Sequence, residues 1–537
     1  MIQLSIYFYK IRCFYEIPSR ILRKYSVFQI LSALGMKCRF FILLNERIYM
    51  AKILIIGAGV AGLSAGIYAQ LNGHQAIVCE KHFIAGGNLT AWNRNGFHID
   101  NCIHWLTGTN PASSTYPMWE TLGALGEIKI HQGETLFTCE HKGKRISLYR
   151  DLTRMKKEML EISPEDKKEI LAFIRAIEYF QGFCGIAGEN HNEKISLLNA
   201  VAAIPALSKY YNITTGELAK KFKNPLLSLF FKGFFGYEFS SLALIMVCAH
   251  FCADNGGIPV GSSSAMAERL TERFHSLGGE LLLKKEAVQI HTKNKRAYAV
   301  SFADRSKIEA DYIVLAADPA SIFGKLLDIS MPKSLSKNYK NSRFLRFSAY
   351  QCAYSCALSE LPFEGDIIFE IPEEYRETLL TDRLIVREFS HEKKFSPEGE
   401  NLLQTITFTF EDQAQKFIEQ RKSDRAAYNE RKKLLASLSQ KLIEQQFPTL
   451  CGKLKCIDVW TPATYHRFTN SEIGSFMSFV LPSRALPLCI NNRIKEFSNV
   501  ILATQWQQAP GGLPIAADVG RRAIQTIVNQ ERKNKTK

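Results

Sequence analysis

Three glycines at a fixed spacing constrain the fold of this chain more than any other feature. They are Gly57, Gly59 and Gly62, in the stretch LIIGAGVAGLSAGIYA. An apolar run at 52–56 precedes them and predicts a buried parallel strand, and a helical pattern at 60–72 follows. In a G-x-G-x-x-G turn the first glycine allows the bend, the second lets backbone approach a pyrophosphate, and the third packs helix against strand. The stretch therefore predicts a dinucleotide-binding unit, with Val60 and Ala61 at the helix N-terminus facing the phosphates.

An acidic residue at the end of the next predicted strand supports this interpretation. The segment QAIVCE follows Gly73, which is placed to end the helix, and it closes with Glu80. A carboxylate there accepts hydrogen bonds from ribose hydroxyls and would repel a 2′-phosphate. We predict that Glu80 and Lys81 are cofactor-binding residues. The alternative is a glycine-rich turn that only packs a structural β–α–β unit, and it leaves Glu80 without a role.

A glycine pair and a second short motif extend the pattern. The pair follows Glu80 closely, and NGFHID at 95–100 comes next. With these residues the sequence resembles the phytoene desaturase, carotenoid isomerase and retinol saturase group of FAD-dependent oxidoreductases. In that group a glycine pair and a G-F/Y-x-x-D segment line the FAD pyrophosphate and the flavin, where glycine lets the backbone lie against an extended cofactor. The resemblance assigns these contacts to Gly86, Gly87, Gly96, Phe97 and Asp100, and we also predict that Asn88 binds the cofactor.

The resemblance covers most of residues 50–530. The segment at 278–290 is similar to the family strand whose backbone near Val288 contacts the adenine. The segment at 498–523 is similar to the closing flavin segment, in which a strand leads through a glycine-rich turn into a helix. Its expected cofactor contacts are Gln505, Gly512, Leu513 and Pro514. The chain departs from many relatives at Thr504 and Gln505, where they carry a glycine and an acidic residue, and in NCIHWL after Asp100, where a glycine is common.

The resemblance implies an α/β fold with two domains. The first is a Rossmann-like FAD/NAD(P)-binding domain of the glutathione-reductase-like β–α–β type, and an α+β substrate domain is inserted into it. We expect the FAD-binding domain at 50–110, 255–330 and 490–529. We expect the substrate domain as a mostly helical part at 111–254 and a part with sheet and helix at 331–489. The tail at 530–537 is expected to be disordered.

The first 49 residues differ in character from the rest. Residues 1–50 carry eight Lys and Arg against two Glu, within a net charge of +16 for the chain. Their apolar runs are shorter than the roughly 20 residues that a spanning helix needs. Two interpretations stay open: a basic segment that lies on a membrane, or an upstream extension, with translation starting at Met50.

The net charge and the spacing of the cysteines limit which binding partners are expected. The basic balance suits an anionic membrane surface, and no nucleic-acid-binding motif is present, so no nucleic-acid partner is expected. The 13 cysteines lack a convincing zinc spacing, and no metal site is expected. We therefore expect a cytoplasmic protein with reduced thiols, and peripheral contact with a membrane stays open.

The resemblance implies an enzyme in which a hydride passes between flavin N5 and a C–C or C=C unit of a long apolar substrate, such as an isoprenoid, polyene or lipid. Whether it desaturates, saturates or isomerises stays open. The residues expected near the flavin ring and the cavity are His104, Trp105 and Tyr465, whereas Cys102 is either a redox or covalent-flavin thiol or a small buried side chain. Two alternatives remain: an amine-oxidase-like flavoprotein that acts on a C–N bond, and a non-catalytic flavin- or lipid-binding protein.

Overall fold

The computed structural model describes residues 51–181, 208–485 and 489–535. The extension predicted at 1–49 lies outside these residues. In the described parts the strands are β1 Lys52–Ile56, β2 Gln75–Cys79, β3 Ala91–Arg94, β4 Phe97–Asp100, β5 Leu106–Thr107, β6 Ile130–His131, β7 Thr135–His141, β8 Lys144–Tyr149, β9 Gly256–Pro259, β10 Glu280–Leu282, β11 Ala287–Lys293, β12 Arg296–Phe302, β13 Lys307–Glu309, β14 Tyr312–Leu315, β15 Phe347–Cys356, β16 Asp366–Glu370, β17 Arg383–Glu388, β18 Asn401–Phe410, β19 Leu454–Trp460 and β20 Val500–Leu502. The helices are α1 Val60–Leu71, α2 Tyr116–Leu122, α3 Leu152–Ile162, α4 Lys167–Phe180, α5 Thr215–Ala219, α6 Pro225–Gly233, α7 Ser241–Cys252, α8 Ser262–Ser276, α9 Pro319–Ile322, α10 Lys333–Lys340, α11 Glu373–Leu379, α12 Glu411–Ser423, α13 Arg425–Gln446, α14 Pro462–Thr469 and α15 Leu513–Lys535.

The first sheet has five parallel strands in the order β10–β2–β1–β14–β20. Successive side chains of a strand point to opposite faces, so each face of β1 packs on a different layer. Ile53 and Ile55 pack in a cluster with residues of α1, α8 and α15. Leu54 and Ile56 pack against the antiparallel sheet β11–β12–β13 on the other side. This arrangement confirms the predicted α/β fold with a Rossmann-like domain.

The second sheet has seven strands in the order β19–β15–β18–β17–β16–β7–β8. One face packs on α12 and α13, through a cluster that includes Tyr350 and Leu435. The other face carries Ile385 and Ile406, which join a cluster with residues of α3, α4, α6 and α7. We call this second face the inner face. The sheet therefore has a layer of helices on each side, as the inserted substrate domain requires.

The block predicted as mostly helical at 111–254 also contributes strands, because β7 and β8 extend the second sheet and β7 pairs with β16. The prediction of a disordered tail at 530–537 is wrong for residues 530–535, because α15 continues to Lys535. The last turns of that helix are held in place, since Gln530 Nε2 donates to Ser498 O over 3.3 Å. Among the described residues, no helix combines the length and apolar character needed to cross a membrane.

Candidate active site

The glycine turn between β1 and α1 packs tightly at two positions and is open at the third. Gly57 has a φ of +103°, and a Cβ added there would lie 2.7 Å from the Ala316 carbonyl oxygen. A Cβ on Gly62 would lie 1.8 Å from the carbonyl oxygen of Gly57. A Cβ on Gly59 would meet no described atom within 4 Å. The first and third glycines are therefore needed for packing, whereas the second borders the space in front of the α1 N-terminus.

Glu80 fixes the conformation of this turn. Its Oε2 accepts a hydrogen bond from Ala58 N over 2.8 Å, and its Oε1 accepts one from His82 N over 2.9 Å. Each carboxylate oxygen can accept a further bond, so both keep capacity for ribose hydroxyls. The neighbouring Lys81 donates from Nζ to Arg467 O over 3.2 Å. The two residues predicted from the sequence thus lie beside the glycine turn, and both are tied to backbone groups.

A second helix N-terminus is formed by the C-terminal segment. The Gln505 Oε1 accepts a hydrogen bond from Gly512 N over 2.9 Å, immediately before α15. The two helices α1 and α15 pack closely, because Ser64 Oγ donates to Ala517 O over 2.6 Å. A Cβ on Gly520 would lie only 2.3 Å from Ala61 O. The predicted residues Leu513 and Pro514 therefore begin a helix that packs directly on α1, and Gly512 immediately precedes it.

Asn88 joins the glycine-pair loop to the segment that follows α14. Its Nδ2 donates to Ser475 O over 3.0 Å and to Phe476 O over 3.1 Å. Its own carbonyl accepts a bond from Asn101 Nδ2 over 2.9 Å. Asn88 Oδ1 and Ser475 Oγ are buried and have no hydrogen-bond partner among the described residues. Buried polar atoms of this kind normally have a partner, so the pair indicates a polar ligand or water at this junction.

His104 lies between this junction and the second sheet. Its Nδ1 is 3.8 Å from Asp366 Oδ2, and the centre of its ring is 6.2 Å from that of Phe476. Arg387 Nε is 3.6 Å from Asp366 Oδ1, so the carboxylate lies between the imidazole and the guanidinium. Burial, followed by the positive charge of Arg387, lowers the pKa of His104 below its ordinary value of 6.5. His104 is therefore a neutral imidazole at neutral pH.

We expect acid to destabilise the fold through His104. Its pKa is lower in the folded chain than in the unfolded chain, so the unfolded state binds more protons below about pH 6.5. The contribution of His104 to the free energy of unfolding should therefore be constant above that pH and fall as the pH decreases below it. His104→Gln should give a shallower fall, measured as thermal unfolding midpoints between about pH 7.5 and pH 5. An identical pH dependence in the two proteins would contradict this assignment.

Tyr465 and Trp105 occupy different surroundings. The Tyr465 hydroxyl donates to Asn101 Oδ1 over 2.8 Å and accepts from Gln351 Nε2 over 2.8 Å and from Trp460 Nε1 over 3.0 Å. Burial raises the pKa of Tyr465 above its ordinary value. All the hydrogen-bonding capacity of this hydroxyl is used, which favours a structural contribution. Trp105 packs beside Gly256, where an added Cβ would lie 2.7 Å from Trp105 Cε3.

Apolar side chains cover the region between the inner face and the Asn88 junction. Phe239, Phe347 and Val480 form a buried cluster there, and partly exposed aromatic side chains pack against it. Phe476 is central, with its ring centre 6.0 Å from that of Phe408 and 6.2 Å from that of Tyr465. We call Phe235, Phe239, Phe347, Phe408, Phe476 and Met477 the aromatic wall.

Comparison with known proteins identifies the family. The family model for flavin containing amine oxidoreductases matches residues 60–523. The chain belongs to this family. The segment that matches runs from the first residue of α1 into α15, so it includes both helix N-termini described above.

Relatives and solved structures agree with this family. The prolycopene isomerase of Daucus carota is 23% identical over 79% of this chain and 71% of its own length. The phytoene desaturase of Phycomyces blakesleeanus is 26% identical over 51% of this chain and 49% of its own length. An oxidoreductase from Methanosarcina mazei superposes with a TM-score of 0.57 at 15% identity, covering 88% of this chain and 100% of that chain. Cyclohexylamine oxidase from Brevibacterium oxydans IH-35A gives 0.54 at 12% identity, covering 90% and 100%. The two structures share the fold.

The cofactor of this family member is FAD, and the protein is an FAD-dependent oxidoreductase. The residues present fit that cofactor. The open space beside Gly59 and the N-terminus of α1 suit a pyrophosphate. The unpaired oxygens of Asn88 and Ser475 suit a cofactor with many polar atoms. Val288, which the sequence assigns to the adenine, is on β11 and is 44% exposed, and its contact stays a prediction.

The structure shows the surroundings of two further residues singled out from the sequence. Asp100 was assigned to the flavin-lining segment, but its carboxylate is buried and accepts bonds from Ser263 N and Ser263 Oγ, each over 2.6 Å. It therefore fixes the start of α8 against the end of β4. Burial raises the pKa of Cys102 to about 12, which favours a neutral thiol over a reactive thiolate.

Sequence reasoning missed Asp366, Arg387 and Asn101. Asp366 and Arg387 are buried on β16 and β17, and Arg387 Nη2 donates to Ile103 O over 2.6 Å, next to His104. No local motif marks them, because only the pairing of strands that are distant in sequence brings them to His104. A charged residue that directly follows three apolar residues of a strand is the one signal that could have identified Arg387.

Proposed function

We propose that the protein oxidises, reduces or isomerises a C=C system in a long apolar substrate, such as a polyene or another lipid. The observation that carries the proposal is the aromatic wall, which lies beside the residues that hold Asn88. Phe408 and Phe476 remain partly exposed although they pack against a buried cluster. Partly exposed aromatic rings next to a cofactor site favour an apolar ligand. The printed names of the prolycopene isomerases and phytoene desaturases support the same substrate class.

We propose the cofactor contacts that the sequence predicted. These are Gly57, Gly59, Val60, Ala61, Gly62, Glu80, Lys81, Gly86, Gly87, Asn88, Val288, Gln505, Gly512, Leu513 and Pro514. Bound FAD supplies two-electron transfer at its flavin ring. The aromatic wall excludes water and orients one C–C bond of the substrate. His104 holds a proton on Nδ1 toward Asp366, Trp105 limits the cavity, and Tyr465 acts by positioning Asn101.

A polyene should change the flavin spectrum of the FAD-loaded protein. Under anaerobic conditions, a desaturation substrate loses two hydrogen atoms and should bleach the oxidised flavin, whereas a saturation substrate should reoxidise the reduced flavin. Absorption near the flavin bands, with product analysis for isomerisation, measures either event. Bleaching by primary amines and not by polyenes would overturn the proposal in favour of C–N oxidation. Polyene binding without any turnover would favour the alternative of a non-catalytic flavin- or lipid-binding protein.

We also propose a cytoplasmic protein that makes peripheral contact with a membrane, from which an apolar substrate would enter. Phe83 and Phe468 are 59% and 38% exposed, and the ring of His82 is 4.3 Å from that of Phe83 and 4.8 Å from that of Phe468. The Arg467 guanidinium lies 4.3 Å above the Phe468 ring. Exposed aromatic side chains next to cationic ones suit an anionic lipid surface.

Flotation with vesicles tests this contact. The protein should float with vesicles that contain phosphatidylserine and less with neutral ones, and Phe83→Ser should reduce the bound fraction several-fold because apolar area inserted into the interface is lost. Leu71→Ser is the matched control, since Leu71 is an apolar residue that is 43% exposed at the end of α1. Equal binding of both variants would contradict the contact.

A further inference from the structure

A row of polar side chains crosses the inner face of the second sheet. Gln351, Gln404, Arg387 and Asp366 come from the adjacent strands β15, β18, β17 and β16, and their exposed fractions are 1%, 3%, 4% and 7%. Arg387 pairs directly with Gln404, and Gln351 pairs with Ile406, two residues along β18. Paired residues and residues two apart point to the same face. We call these four residues the polar row.

Three members of the polar row have partners. Gln351 Nε2 donates to the Tyr465 hydroxyl, and Arg387 Nη2 donates to Ile103 O. Asp366 lies within ion-pair distance of both Arg387 and His104. Gln404 Nε2 is different: it is buried and has no hydrogen-bond partner among the described residues. A buried amide without a partner is unfavourable, so this group is expected to meet an acceptor that comes from outside the chain.

The surroundings of Gln404 indicate the chemical character of the ligand that carries this acceptor. On the same strand and the same face, Leu402 packs in a cluster with Phe97 and Trp460, and Ile406 packs in the cluster of the helical layer. Gln404 thus lies between two apolar regions. A ligand that reaches it must present apolar surface along most of its length and one oxygen atom at this point.

The net charge of the polar row and His104 excludes an anionic group on the ligand. The positive charge of Arg387 is compensated by Asp366, which is 3.6 Å away. His104 is neutral at neutral pH, as derived above from its burial. With no net charge left to balance a carboxylate, the amide donor of Gln404 suits a neutral oxygen.

We propose that Gln404 is a specificity-determining residue whose amide nitrogen binds a hydroxyl or carbonyl oxygen of an otherwise apolar substrate. This inference rests on the proposed function and narrows its substrate class from hydrocarbon to oxygenated polyene. Gln404→Leu removes the donor at similar volume, and Gln404→Met is a second variant of the same kind. Thr407→Val is the matched control, because Thr407 is on the same strand, is also buried, and faces the opposite side.

The experiment compares the affinities of two probes for the FAD-loaded protein, and fluorescence measures the binding. The probes are all-trans-retinol and the hydrocarbon that lacks only its hydroxyl. We expect the wild type and Thr407→Val to prefer the alcohol by about ten-fold, and both Gln404 variants to bind the two probes within about two-fold. Equal affinity of the wild type for the two probes, or a preference that persists in the Gln404 variants, would overturn the inference and leave the proposed function intact. Binding of neither probe would overturn both.

Discussion

Gly59→Leu is expected to abolish FAD binding and to leave the fold intact. Gly59 has φ −68° and ψ 177°, an extended conformation that any residue adopts, and a Cβ there meets no described atom within 4 Å. The new side chain would occupy the space through which the backbone approaches the pyrophosphate. We expect FAD affinity to fall at least about 100-fold, equivalent to about 2.8 kcal/mol. Flavin absorbance after gel filtration and titration with added FAD measure the loss.

Gly62→Ala provides the contrast for this variant. The added Cβ would lie 1.8 Å from Gly57 O, so this change should disturb the packing of α1 on β1 and lower stability as well as FAD content. Circular dichroism separates the two cases, since Gly59→Leu should keep the spectrum of the wild type. A Gly59→Leu protein that retains a full complement of FAD would show that the cofactor does not approach this turn.

Arg387→Met is expected to destabilise the substrate domain by about 3 kcal/mol. The guanidinium is 4% exposed, lies 3.6 Å from Asp366 and donates to Ile103 O. Its removal leaves a buried carboxylate without its positive partner, and such an uncompensated charge costs much more than the pair itself contributes. The free energy of unfolding in urea measures the effect.

The double variant Arg387→Met with Asp366→Asn tests the cause. Because the second change removes the uncompensated charge, much of the lost stability should return, and the two effects should not add. The double variant could instead lose as much free energy of unfolding as the two single variants lose together. The cost would then come from lost packing and from the lost hydrogen bond to Ile103 O. That outcome would contradict a charge-compensating role for Arg387.

The glycine turn, the helix after it and Glu80 could be identified from the sequence because their signal is local. The turn, the helix and Glu80 lie within about thirty residues, and each position has its own steric or hydrogen-bonding requirement. The structure adds a contact that the sequence did not predict: Glu80 also accepts a bond from Ala58 N and so holds the turn before any ribose is bound. The closing segment was recognised by the same local order of strand, turn and helix.

The substrate side was predictable only in outline. The sequence indicated sheet and helix at 331–489, but the side-chain partners on β15 and β18 depend on register, and a slip of one residue would move Gln404 to the opposite face. The link from Ile103 to Arg387 spans 284 residues, and no local pattern encodes it. The tail was misjudged because its charged composition resembles a disordered end, whereas the contact of Gln530 with Ser498 keeps the helix in place.

The packing of α15 on α1 has a consequence for biosynthesis. The hydroxyl of Ser64 bonds to Ala517, 453 residues later, and β20 completes the parallel sheet at Val500–Leu502. Domains commonly fold in order as they leave the ribosome, but this nucleotide domain lacks one strand and one helix until nearly all of the substrate domain has been made. Loading with FAD is therefore a late event in synthesis. Until then the face of β1 that carries Ile53 and Ile55 lacks the part of its cover that α15 supplies, so apolar surface of the nucleotide domain stays exposed until synthesis is nearly complete.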